Sequence, residues 1–309
     1  MARDWLEHFE DDAVRALAWC IGSPGLMRDV PGLDLPTPLS FKNALEEAWG
    51  WLSELDRNPI PLHEHLASTR SWKVGVYFES LIAWWLKWSP RHDLLARNLQ
   101  VRDEHRTFGE FDFLLRDDNG QPQHWEVAVK FYLQREQSDE WSAWVGPNQR
   151  DRLDIKLGRM RDHQLPLSGR PEAVSALESL HIAEPPSQVA IVKGMFFELW
   201  NEPELRPRGC AQEPPFGQWV TAGDFVAFSE THSTCRWCIR EKPDWLGPAR
   251  RRREDSFSTA EAVERLKVNG LERPQLWSRL GEREDDIWFE EGCLFVVPDN
   301  WRELYAGRQ

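Results

Sequence analysis

The sequence predicts an α/β protein: a central mixed β-sheet flanked by helices, with a helical N-terminal segment and an α+β C-terminal extension. Three observations carry that expectation. The run Phe108–Leu133 alternates acidic and apolar residues on either side of an Asp118-Asn119-Gly120 turn, which reads as two adjacent strands. Val189–Leu199 is a continuous apolar run of the kind that forms a buried strand. Between and before these runs lie segments with apolar residues at helical spacing.

Taken in order, residues 1–68 read as helical. Asp11 or Asp12 caps a first helix carrying Val14, Leu17, Ala18 and Ile21, which Ser23-Pro24-Gly25 ends. Asp29–Thr37 is loop, rich in Pro and Gly. A second helix carries Ala44, Ala48, Leu52 and Leu55 and is expected to stop at Asn58-Pro59 and Pro61. Trp72–Trp88 is the clearest helix, with Val76, Leu81, Trp84, Trp85 and Trp88 on a broad apolar surface and Ser89-Pro90 as its stop. It opens the expected core, residues 69–200. Leu94–Val101 is a weak strand ahead of the two strands above.

Gln134–Trp144 is expected to be loop. Asp151 or Asn148 then starts a helix carrying Leu153, Leu157 and Met160, with Arg152, Lys156, Arg159 and Arg161 on its polar side. That basic side reads either as a solvated face or as a phosphate-facing flank. Residues 201–309 are expected to pack on the core as an α+β extension. Its parts are short strands at Gln218–Phe228 and Cys235–Ile239, a solvated turn at Arg250–Arg253, a helix at Ser258–Val268 closed by Gly270, and a final strand at Trp288–Val297.

Composition narrows the function. The chain has 309 residues and a net charge of -13, which argues against a large sequence-independent phosphate footprint and leaves room for a small local one on an acidic body. Nucleic acid therefore remains a partner to weigh, and a membrane does not. The longest apolar run, Leu81–Trp85, is too short to span a bilayer. The first residues, M-A-R-D-W-L-E-H-F-E-D-D, lack the apolar stretch of a signal peptide. The cysteines, Cys20, Cys210, Cys235, Cys238 and Cys293, are scattered and odd in number, so the expected compartment is the cytoplasm. The 18 Trp must mostly build cores, with stacking on a ligand as the alternative. Cys235-Arg-Trp-Cys238 has zinc or redox spacing but lacks a second pair, so packed thiols are expected. No phosphate-binding glycine loop and no nucleophile elbow is present.

The acidic strands remain. Alternation puts Asp112, Glu126 and Lys130 on one side of the sheet, with Phe111, Phe113, Leu115, Trp125, Val127, Val129 and Phe131 on the other. Carboxylate oxygens suit a hard divalent ion, and a lysine beside them can orient or deprotonate a water. The bland alternative is a solvated face. Glu79, flanked by aromatics and Leu, reads either as an exposed helical acid or as one drawn inward.

The runs G-V-Y-F-E, G-E-F-D-F-L and H-W-E-V-A-V-K-F-Y-L, in that order, resemble the PD-(D/E)XK nuclease-like superfamily. Together with G-P-N-Q-R-D-R-L-D-I-K, K-P-D-W-L-G-P and F-V-V-P-D-N-W they resemble, more closely, a bacterial domain-of-unknown-function family within it. The resemblance implies a restriction-endonuclease-like core and a Mg²⁺- or Mn²⁺-dependent nuclease. Asp112 and Glu126 would hold the metal, Glu79 would be the helical acid, and Lys130 would assist the nucleophile. The superfamily's lysine falls two residues after the acid, where this chain has Ala128. Lys130 lies on the same face but roughly 7 Å further along the strand. Lys156 is the second candidate, with Glu110 and Gln164 as supporting residues. The alternative implied by the displaced lysine is a non-catalytic member of the fold that binds or scaffolds.

Overall fold

A computed structural model describes residues 3–69 and 71–303. The chain is α/β, with a large mixed sheet flanked by helices. Four helices come first: α1 (Asp12–Gly22), α2 (Pro38–Arg57), α3 (Ile60–Ala67) and α4 (Val74–Trp88). The strands β1 (Asp93–Arg102), β2 (Thr107–Arg116), β3 (Pro122–Gln134) and the short β4 (Trp144–Val145) follow. Next are α5 (Leu153–Arg159), α6 (Val174–Ser179), β5 (Ser187–Leu199), β6 (Phe216–Thr221) and α7 (Phe225–Glu230). The chain closes with β7 (Arg236–Arg240), β8 (Arg250–Arg252), β9 (Phe257–Ser258), α8 (Thr259–Asn269), β10 (Gln275–Glu282) and β11 (Ile287–Val297).

The strand order is β1-β2-β3-β5-β6-β11-β10-β7-β9, with β4 on β3 and β8 on β11. Strands β3, β5, β6 and β11 run parallel, and the outer pairs are antiparallel. The sheet thus continues without a break across residue 200, so the extension's strands lengthen the core sheet instead of forming a second one. One face carries Phe113, Trp125, Val127, Val129, Phe131, Ile191 and Met195 against α1, α2 and α4. The other carries Tyr132, Ala190, Val192 and Phe196 against α5. Further along, that second face carries Leu294 and Val296 against α7 and α8. Trp144, Trp219, Trp237, Trp277 and Trp301 are fully buried, in line with the core role expected of them.

The helix signals act as expected where a cap is present. Asp11 Oδ1 accepts from the Ala13 and Val14 amides, and Ser258 with Glu261 forms a complete capping box on α8. Elsewhere tertiary context overrides local reading. Asn58-Pro59 ends α2, but Pro61 does not end helical structure. It sits in the first turn of α3, where a missing N–H costs nothing. Asp151 does not cap α5, because its carboxylate is taken by Lys130. The expected strand over Gln218–Phe228 breaks at Thr221, whose hydroxyl and Asp224 exchange hydrogen bonds, and becomes helix α7. Arg250–Arg253 is no solvated turn. Its first three residues pair with β11, and Arg251 bonds Asp12 and Asp244. Phe111 leaves the face of Phe113 and packs with Leu114 and Leu167 instead. The cysteines form no disulfide with one another, and burial pushes the Cys235 and Cys238 thiols up.

β5 stays regular through Gly194, the residue most apt to interrupt it. Gly194 has φ +136°, and a Cβ there would lie 1.7 Å from the Lys130 carbonyl oxygen across the parallel ladder. Only glycine meets both conditions. Gly194→Ala is expected to cost about 3 kcal/mol or more, read as a lowered midpoint of denaturant unfolding. An unchanged midpoint would contradict the close approach of β5 to β3.

Candidate functional site

The site is built where two strands part. Asp117 Oδ1 accepts from the amides of Asn119 and Gln121 at 3.0 and 2.8 Å, closing the turn between β2 and β3. The ladder then runs from Arg116–Pro122 to Phe113–Trp125 and stops. At the next step Asp112 Oδ2 accepts the Val127 N–H at 3.0 Å. A side chain thus satisfies an amide that the ladder no longer reaches. Glu126, fully buried, follows Trp125 on β3, and its carboxyl shares a hydrogen bond with that of Asp112.

Each oxygen of Glu126 has a further partner. Gln164 Nε2 donates to Oε2 at 2.5 Å, and His124 Nε2 lies 3.0 Å from Oε1. Gln164 is delivered by a π-helical turn, Met160–Gln164, that continues α5. Lys156 Nζ donates to Gln164 Oε1 at 2.9 Å, so lysine, glutamine and glutamate form a chain. Burial holds His124 well below the usual imidazole range, at about 4. The neutral ring then carries its proton on Nε2 whenever Glu126 is ionised, because a carboxylate can only accept.

Three carboxyls feel one another here. Asp112 is pushed up to about 7, first by burial and then by Glu126. Glu126 is also pushed up to about 7 by burial, with Lys156 opposing. Glu79, half-buried on α4, is raised to about 7 by burial and then by Asp112, with Arg97 opposing. Lys156 is lowered, first by burial and then by Lys130. Removing like charges from water while holding them together favours the neutral acids and the neutral amine.

The structure therefore brings together Glu79, Asp112, Glu126, Lys156 and Gln164. Glu110 stands at the edge, half-buried, and its charge is felt by Glu79. Lys130 does share the face, but its amine turns to Asp151 Oδ2 at 2.6 Å and makes no hydrogen bond to Glu126 or Asp112. Alternation could not show this, since it fixes a face and not a partner. Two neighbours were missed. His124 sits two residues before Glu126, so period-two alternation alone places it on the same face. Arg97 faces Glu79 from β1, a juxtaposition no local pattern carries.

Hard oxygen donors fit Mg²⁺ or Mn²⁺ better than a soft-ligand metal. Burial raises all three carboxyls, and a neighbouring carboxyl raises Asp112 and Glu79 further, which a bound cation would relieve. Among the described residues, no group of three or more His, Cys, Asp or Glu side chains is already arranged around a metal position. Two carboxyls in contact would thus need water or backbone oxygens to complete a shell.

The family model described as "Domain of unknown function (DUF1853)" matches residues 15–297, and the chain belongs to that family. No curated protein and no solved structure matches it. No helix among the described residues is long and apolar enough to cross a membrane.

The site makes stability depend on pH. A carboxyl raised in the folded state holds a proton that the unfolded chain gives up. Its contribution is full below the ordinary values of 3.8 for Asp and 4.5 for Glu, and is lost as pH rises through about 7. Without added metal, Tm is expected to fall between about pH 5 and about pH 8, and to fall less steeply in Asp112→Asn. Parallel Tm profiles for the two proteins would show that the Asp112 carboxyl is not raised in the folded state.

Proposed function

We propose that the chain is a metal-dependent nuclease that hydrolyses phosphodiester bonds of DNA or RNA, using Mg²⁺ or Mn²⁺. The observation that carries this reading is the buried contact of Asp112 with Glu126, with Glu79 coupled to the pair and Lys156 linked to it through Gln164. The order of these residues along the chain is the one on which the resemblance to PD-(D/E)XK nucleases rests.

In this reading Asp112 and Glu126 hold the cation, which would polarise the scissile phosphate and neutralise charge in the transition state. Glu79 orients a water. Lys156 takes the part expected of Lys130: its amine is drawn toward neutrality by burial, which suits a group that accepts a proton from the attacking water. Lys130 then serves to fix Asp151 and the loop that starts α5. Gln164 and His124 hold the Glu126 carboxyl in one orientation.

A second reading, a non-catalytic binding or scaffold protein, draws on two observations. Both oxygens of Glu126 are already hydrogen-bonded within the chain, and the superfamily's lysine position is Ala128.

Cleavage of labelled single- and double-stranded DNA and RNA with Mg²⁺ or Mn²⁺ separates the two. The nuclease reading expects Asp112→Ala and Lys156→Ala each to lose roughly 100-fold or more in rate, and Lys130→Ala to lose less than about tenfold. Equal rates in wild type and Asp112→Ala, or no cleavage of any substrate, would favour the scaffold.

A further inference from the structure

Far along the face that carries Glu126, the sheet register assembles a second polar group. Glu198 of β5 pairs with Gln218 of β6, and Gln218 with Leu294 of β11. Two residues back along β11, Gly292 pairs with Arg279 of β10, and Arg279 with Trp237 of β7. These residues, with Phe228 of α7, line a cavity of about 300 Å³. That is the lower end of the range for small-molecule sites.

Two atoms in this lining are unusual. Glu198 Oε1 and Arg279 Nε are both buried and without a hydrogen-bond partner among the described residues. Three strand spacings, roughly 14 Å, separate their backbones, and the two side chains do not pair with each other. Arg206, the other cation in the lining, is already engaged. It bonds Glu204 and the Gln212 carbonyl and lies 4.9 Å from the Phe216 ring centroid. The aromatic wall is fixed, since Trp237 Nε1 donates to Thr259 at 3.0 Å and Phe228 stacks on His232.

Glu198 and Arg279 are each half-buried, and each keeps one buried atom without a hydrogen-bond partner, so a ligand that carries both an ammonium and a carboxylate would match the cavity. A neutral ligand such as a nucleobase would supply hydrogen bonds but no charge to match either side chain. We propose that this cavity binds a free α-amino acid with an apolar or aromatic side chain. Its ammonium meets Glu198, its carboxylate meets Arg279, and its side chain lies against Phe228 and Trp237. Gly292 adds no side chain to the floor between the charges. Burial and then Glu204 push the Glu198 carboxyl up to about 7, a state that an arriving ammonium reverses.

The test uses the full chain in EDTA, so that its outcome is independent of the nuclease reading. Thermal-shift screening of the common amino acids selects a probe, and calorimetry with L-phenylalanine, phenethylamine, 3-phenylpropionate and guanosine measures the binding. One L-phenylalanine per chain is expected, with each singly charged analogue at least about tenfold weaker. Glu198→Gln, near-isosteric, and Arg279→Gln, shorter and uncharged, are expected to weaken binding at least about tenfold while circular dichroism and Tm stay near wild type. The proposal is overturned if no amino acid stabilises the protein, if either variant binds as wild type does, or if guanosine binds and the amino acids do not.

Discussion

One hydrogen bond sets the geometry of the acidic face: the Val127 amide donating to Asp112 Oδ2. The ladder between β2 and β3 ends one step earlier, and a buried amide without a partner would be costly. Asp112 meets that need and is thereby held against Glu126. The other groups nearby are arranged around this fixed point. Gln164 and His124 take the two oxygens of Glu126, Lys156 reaches the pair through Gln164, and Glu79 approaches from α4 with Arg97 beside it. The polar site is therefore a consequence of where two strands separate, and the turn at Asp117 determines that point.

The rest of the chain holds this sheet rigid. On the opposite face, Lys193 extends from β5 to the carbonyls of Ile21 and Ser23, where the C-terminal end of α1 carries partial negative charge, and its amine lies 3.8 Å from the Phe41 ring centroid. Arg15 of α1 donates to the carbonyls of Phe9, Glu10 and Pro248, tying the first helix to the last third of the chain. Arg240 and Glu290 form a buried ion pair at 2.9 Å, extended by Asp244, Ser278 and Arg251. Removing one member of such a pair leaves a buried charge, which typically costs about 3–5 kcal/mol. These links join the N-terminal helices and the C-terminal strands to one sheet.

Much of this architecture was legible in the sequence, and the misses have physical causes. The α4 helix, the β2–β3 pair, β5 and α8 carry strong periodicity or complete caps, and they form where expected. Helix α3 hides behind prolines that read as stops, and α7 behind apolar residues that read equally as a strand. Strand β10 was missed because Gln275–Glu282 mixes polar residues, glycine and tryptophan, and only its two neighbours make it a strand. In the site, alternation placed Asp112, Glu126 and Lys130 on one face, but which cation approaches the acids depends on the loop before α5. There Asp151 takes Lys130, and the turn after the helix brings Gln164 and Lys156 in. Contacts of that kind join residues distant in sequence, and a local pattern cannot encode them.

We propose the Asp112–Glu126–Glu79 face as a cation site assisted by Lys156. Calorimetric titration of the metal-free protein with Mn²⁺ near pH 8 tests it most directly. Saturable binding that is abolished in Asp112→Asn and weakened in Glu126→Gln is the predicted result. Absence of binding, or equal binding in wild type and Asp112→Asn, would rule out a cation site on this face.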